Sequence, residues 1–246
     1  MMEILSKSVI ALLSSIFGAI IILKAKLTHE RFCALISFAA GALFSAAVLS
    51  ILPETYQKLT FVETLLAFFS GYILFYAIGK YYFHVCPSCS ASHFDENMTK
   101  KFKQIAFLMI TSFSVHSFSD GLAISIEEEQ YSSIFLAIFF HKFPEGIALA
   151  SIMLSAGYSK IKTIFYIIAI QTTTIFGAIV GAALLDYNIL NFATINLILA
   201  HIGGGFIYLS LHAILGEMLK HDMKKVFFYF FIGLIIVGSS NFFHMH

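Results

Sequence analysis

Two short frames carry the chemistry. His116-Ser-Phe-Ser-Asp120 and His141-Lys-Phe-Pro-Glu145 each place an imidazole four residues ahead of a carboxylate. On a helix, positions i and i+4 share a face, so each frame presents both groups in one direction. If the two frames face each other, the four groups form an N2O2 donor set. Such a set suits Zn2+ as a bound substrate ion and also accepts Fe2+, Mn2+, Co2+, Ni2+ or Cd2+. The frames agree beyond the pairs, HSFSDGLAIS (116–125) against HKFPEGIALA (141–150). A lone buried histidine is usually a hydrogen-bonded core residue. Two matched His–carboxylate pairs in a repeated frame point instead to a metal or proton pathway.

The surroundings of these frames are apolar. Of 246 residues, 59% are hydrophobic and only 12% charged, with mean hydropathy +0.88. A soluble domain carries about 25% charged residues, so the chain needs lipid as a second solvent. A spanning helix needs about 20 apolar residues. Eight runs qualify: 6–23, 32–52, 63–83, 104–126, 131–155, 163–185, 192–217 and 225–243. The expected fold is all-α: one transmembrane domain over residues 1–246, an eight-helix polytopic bundle, with the loop 84–102 as its longest polar stretch. The net charge of +1 gives a nucleic-acid partner no electrostatic support. Three cysteines, Cys33, Cys86 and Cys89, are too few for a disulfide framework.

Lys and Arg set the direction of the spans. Loop 1–2 holds Lys24, Lys26 and Arg31; loop 3–4 holds Lys80, Lys100, Lys101 and Lys103. Loop 5–6 holds Lys160 and Lys162, and loop 7–8 holds Lys220, Lys224 and Lys225. Twelve of the fifteen basic residues thus share one side, with only Lys7 and Lys58 opposite and Lys142 inside a span. Both termini are expected outside the cytoplasm of a multi-pass plasma (inner) membrane protein. His116 lies eleven residues before Glu127, and His141 twelve after Glu129. At a rise of about 1.5 Å per residue, both histidines sit near the bilayer midplane. Ionisable groups at that depth are costly and signal function. Pro144 removes a backbone hydrogen bond and frees the Phe140 carbonyl, a break tolerated where a helix lines a cavity. Ser112, Ser114, Ser117, Ser119 and Ser125 make the fourth span polar, with one stripe expected to face water.

The frames HxFxDGxA and HKxPEGxAxA, on consecutive helices of an eight-span chain, resemble the ZIP (Zrt/Irt-like) divalent metal transporters of bacterial type. The resemblance extends over the whole chain, including the long third loop. It implies an inverted repeat, with helices 1–3 related to 6–8 and helix 4 to helix 5. GALFSAAVLSILPE (41–54) and GGFIYLSLHAILGE (204–217) agree with that relation on oppositely directed spans. Carried over by motif, His116, Asp120, His141 and Glu145 match the family's principal metal site. Some members hold a second metal, which would draw here on Ser117, Lys142 and Thr174. A protonated Lys cannot ligate, and Thr174 stands where those members have a carboxylate. A single metal is therefore expected, with the Lys142 ammonium in place of the second cation. The competing reading of Lys142 is a structural ion pair.

The implied activity is transport rather than an enzymatic reaction: uptake of zinc or a similar ion into the cytoplasm. Glu127–Glu129, His201 or Glu54 would attract the ion, Gln171 is a further pathway position, and His212 and Glu217 would receive it on leaving. Affinity should fall below about pH 6, because protons compete for the histidines. The rivals are an intramembrane metal-dependent hydrolase and a proton or cation channel built on the same cluster. The hydrolase lacks an HExxH motif. The expected partners are the divalent ion and the bilayer, with a homodimer left open against a monomer. His84, Cys86, Cys89 and His93 in the cytoplasmic loop have zinc-like spacing and form a separate candidate site. Cys86→Ser/Cys89→Ser tests it by loop metal content.

Overall fold

The structure is a computed structural model and describes residues 2–24, 29–81, 99–126, 133–186, 191–218 and 222–243. Among these residues every regular element is a helix. They are α1 (Met2–Lys24), α2 (His29–Ser45), a π-helical stretch (Ala46–Ile51), α3 (Leu52–Lys58), α4 (Phe61–Tyr81), α5 (Thr99–Ile126), α6 (Ser133–Ser155), α7 (Lys160–Asp186), α8 (Phe192–Met218) and α9 (Met223–Phe243). The run from α2 through α3 is one continuous rod, so the elements correspond to the eight expected spans. Six stretches among the described residues are long and apolar enough to cross a membrane: Met2–Lys24, Cys33–Lys58, Phe61–Lys80, Ser133–Ser151, Lys160–Asp186 and Ala193–Leu215.

Local chemistry sets the ends of these rods. Before α4, Thr60 Oγ1 accepts from the Glu63 N–H, and Glu63 Oε2 accepts from the Thr60 N–H, which is a capping box. Asn191 Oδ1 accepts from the Thr194 N–H at the start of α8. After α6, Gly157 takes φ 83°. Its N–H bonds the Leu154 carbonyl while that of Tyr158 reaches back to Met153, closing a Schellman motif. The π stretch has a cause in Pro53. That residue has no N–H and its ring crowds the carbonyl four residues back, at Leu49. The backbone widens instead, and the Leu52 N–H bonds Ala47 O, five residues back. Pro144 behaves differently. It lies within an uninterrupted α6.

The helices sort into two groups. α5 packs most extensively on α7 and α1 on α6, while α2 packs on α9 and α4 on α8. In lipid no hydrophobic force drives helices together, so close backbone approach through small residues has to do it. Each of these four pairs is joined by two reciprocal glycines. Gly18 of α1 faces the Phe143 carbonyl, and Gly146 of α6 faces that of Ser15. Gly121 of α5 faces Thr174 O, and Gly177 of α7 faces Phe118 O. Gly41 of α2 faces Phe230 O, and Gly233 of α9 faces Phe38 O. Gly71 of α4 faces His201 O, and Gly204 of α8 faces Phe68 O. In every case the glycine meets the carbonyl three residues before its partner glycine.

These contacts leave no room for a methyl group. In an unconstrained helix Gly→Ala stabilises by about 1 kcal/mol. Gly121→Ala should do the opposite, because its Cβ would overlap the Thr174 carbonyl. A lower melting temperature of the detergent-purified protein is expected. Gly238→Ala, where only the Leu49 and Ser45 side chains lie nearby, should melt close to the parent. Equal effects at the two positions would refute the packing account.

Candidate metal centre

α5 and α6 are consecutive spans and therefore antiparallel, which turns their two frames toward one another. Each is regular helix across its frame, so each carboxylate stays one turn C-terminal to its histidine on the same face. The glycine that follows each carboxylate, Gly121 or Gly146, lets α7 or α1 press against the back of the frame. All four side chains are buried.

One ligand atom from each of the four residues lies within 4.8 Å of the others. His116 Nε2 is 3.2 Å from His141 Nε2. Asp120 Oδ2 lies 3.6 Å from His116 Nε2 and 3.4 Å from His141 Nε2. Glu145 Oε2 lies 4.0 and 3.9 Å from the same two atoms. A tetrahedral ion with bonds of about 2.1 Å requires ligand atoms about 3.4 Å apart. Three of these separations are within a few tenths of an ångström of that edge, and the Glu145 edges need only a small inward shift.

The two imidazoles are held differently. His141 Nδ1 hydrogen-bonds the Ala137 carbonyl at 2.9 Å, which directs the Nε2 lone pair at the cluster. His116 Nδ1 is buried without a hydrogen-bond partner. Its ring stands edge-on to Phe75 of α4, 6.1 Å between centroids. Phe206 of α8 lies 6.3 Å from the His141 ring. Neither phenylalanine stands out in the sequence, which is rich in apolar residues.

Lys142 is fully buried in the same cluster. Its Nζ is 2.8 Å from Asp120 Oδ2 and 3.2 Å from Glu145 Oε2, and it donates to Ser117 Oγ at 2.6 Å. Gln171 of α7 donates from Nε2 to Glu145 Oε1 at 2.8 Å, and its Oε1 lies 3.4 Å from Ser117 Oγ. The polar atoms of this mid-span glutamine are thus used on the centre itself. Thr174 is buried one turn further along α7, with its hydroxyl lacking a hydrogen-bond partner.

Other sequence candidates do not join the cluster. His201 Nδ1 bonds Ser70 Oγ of α4 at 2.8 Å. His212 stacks on Tyr208, which itself packs against Tyr72 and Tyr76 of α4. Both histidines therefore lie on the face of α8 turned to α4. Glu54 pairs with Lys58 at 2.9 Å on α3. Of the serines expected to form a polar stripe on α5, Ser117 joins the cluster. Ser114, Ser119 and Ser125 donate to Ile110, Val115 and Leu122 carbonyls of their own helix. Ser112 and Glu217 have side chains outside the described residues, as do the whole residues Glu127–Glu129, His84, Cys86, Cys89 and His93.

A cavity of about 60 Å3 adjoins the centre, room for a few waters. His116, His141 and Glu145 form its floor, and Pro144 lines it, as a proline within a cavity-facing helix should. Ile36, Ala39, Ala40 and Leu43 from the first half of the rod that runs from α2 through α3, Phe113 from α5 one turn before His116, and Leu209 and Ala213 from the late part of α8 form its walls. It therefore extends toward the side that carries loops 1–2 and 7–8.

Comparison with known proteins agrees with this geometry. Over 200 residues the chain is 30% identical to an uncharacterized protein of Methanocaldococcus jannaschii, covering 80% of this chain and 79% of that one. It is 27% identical over 167 residues to zinc transporter YKE4 of Saccharomyces cerevisiae, covering 61% of this chain and 47% of the yeast protein. It is 30% identical over 125 residues to zinc transporter ZIP10 of Danio rerio, which covers 49% of this chain but only 14% of the fish protein. The chain thus spans most of the archaeal relative and less than half of the two named transporters. The family model described as ZIP Zinc transporter matches residues 87–241, more than half of the chain. With both frames inside that match, this chain belongs to the ZIP zinc transporter family, a family of transporters and not of enzymes.

Proposed function

We propose that the chain carries a divalent transition metal, zinc foremost, through the membrane by way of one ion held between His116, Asp120, His141 and Glu145. The supporting observation is the convergence of those four ligand atoms within 4.8 Å of one another. Zinc is favoured because two imidazoles and two carboxylates in tetrahedral reach match its preferences, while Fe2+, Mn2+, Co2+ and Cd2+ use the same donors less selectively. Lys142 supplies the charge that a second ion would otherwise bring. Its ammonium bridges the two carboxylates, and Thr174 offers no carboxylate in support of another metal.

The inverted repeat is part of the same proposal. Relating α1 to α7, α5 to α6, α2 to α8 and α9 to α4 carries every reciprocal glycine contact onto another one. Gly18 and Ser15 map onto Gly177 and Thr174, and Gly146 and Phe143 onto Gly121 and Phe118. Gly41 and Phe38 map onto Gly204 and His201, and Gly233 and Phe230 onto Gly71 and Phe68. A midplane site between inverted repeats suits transport, in which one helix group rocks against the other; hydrolysis has no use for that arrangement. The distribution of Lys and Arg supports extracytoplasmic termini in the plasma membrane, with uptake as the direction of transport.

Uptake of a panel of divalent ions into proteoliposomes tests the reading. Zinc should enter the vesicles, and His141→Ala should remove that entry. Uptake that is indifferent to His141 would end the proposal. Entry of protons without metal dependence would favour the channel rival.

A further inference from the structure

We infer that Ala46, Ile138, Ile202 and Phe206 line the route between the metal centre and the membrane face opposite the cavity. This rests on the inverted-repeat reading and asks what that repeat demands of the pathway. The cavity beside the centre is one-sided, with walls from the first half of the α2–α3 rod, from Phe113 of α5 and from late α8. A repeat of opposite orientation turns one side of the centre into the other. The shift that carries Gly41 onto Gly204 also carries Ala39 onto Ile202 and Leu43 onto Phe206. Reversed, it carries Leu209 onto Ala46. The shift that carries His116 onto His141 carries Phe113 onto Ile138.

The four images come from three different elements and need not have met. Yet all four fall in one contiguous apolar cluster, and each is at most 4% exposed. Phe206 also touches the ligand ring of His141. Four lining residues of the cavity, Ala39, Leu43, Phe113 and Leu209, thus have counterparts in a closed plug on the other side of the same centre. Ala213, at the rim of the cavity, maps onto Ser50. Its hydroxyl accepts a hydrogen bond from Ser133, joining the π stretch to the start of α6. The plug is therefore latched at its far end by a polar contact between two helices that would have to part.

The test uses the full chain with Cys33, Cys86 and Cys89 changed to serine and uptake verified. Single cysteines are placed at Ala46 and Ile138, and as controls at their sequence neighbours Ala47 and Ala137, all of which are fully buried. A membrane-impermeant charged methanethiosulfonate is added outside sealed cells during zinc uptake. Ala46→Cys and Ile138→Cys should react at least about tenfold faster than Ala47→Cys and Ala137→Cys, and reaction should block further uptake. Equal reactivity of images and neighbours, or no reaction at Ala46→Cys and Ile138→Cys, would overturn the inference. If either variant fails to reach the membrane, Ile202→Cys and Phe206→Cys take its place under the same criterion. Ala40→Cys and Ala213→Cys, probed from the cytoplasmic side, separate the failures. Their labelling from inside with silent images sinks the route alone, whereas their labelling from outside sinks the proposed orientation.

Discussion

Glu145→Ala and His116→Ala should each cut zinc uptake by more than about 100-fold while the protein remains in the membrane. Outer-shell changes around a metal typically cost about 10–100-fold in affinity, and loss of a ligand must cost more. Gln171→Ala removes the hydrogen bond that orients Glu145 and should fall inside that outer-shell range. The ordering is the informative part. Initial uptake rates in proteoliposomes, normalised to reconstituted protein, measure it. Near-normal uptake by His116→Ala or Glu145→Ala would refute the centre. A Gln171→Ala defect as large as either would move Gln171 into the ligand set.

The second large effect concerns Lys142. With Lys142 and Asp120 fully buried and Glu145 nearly so, removing the ammonium leaves two carboxylates facing each other without compensation. Breaking a buried pair by deleting one partner costs about 3–5 kcal/mol. Lys142→Ala should therefore melt well below the parent when metal is absent. A divalent ion that binds the folded state should restore stability as RT ln(1 + [L]/Kd). Because the space beside the first ion is then free of positive charge, the metal content should rise from one toward two per chain. Melting curves with and without zinc, and metal analysis of the purified protein, check both halves. A variant that melts like the parent without metal would show that the ammonium is not the counter-charge. A variant that metal cannot rescue would make Lys142 a structural pairing residue only.

The eight helices and the clustering of the four central residues were legible because each depends on short-range rules. A bilayer crossing requires about 20 apolar residues wherever it occurs, and the i, i+4 spacing of each frame puts its two groups on one face whatever surrounds it. The repeat between HSFSDG and HKFPEG showed that the two faces are related. The charge on Lys142 was readable beside Glu145, three residues on along the same helix, whereas its approach to Asp120 follows only from matching the two frames. The π stretch was not legible. Pro53 and Pro144 are both prolines inside long apolar runs, yet one widens its helix and the other does not.

The chain by itself therefore determined which segments become long apolar helices, which four residues could meet around a dication, and which short frames repeat. The tertiary structure alone decided how each rod is rotated. α8 shows the reason. Phe206, Leu209 and Ala213 face the centre or its cavity, whereas His201, Tyr208 and His212 face α4. In water a polar stripe would mark the outward face of such a helix. A helix packed in lipid is apolar all round, and its rotation is set by where a partner's backbone can come close. For α8 that place is Gly204 against Phe68. A contact between residues so distant along the chain exists only once both helices have met.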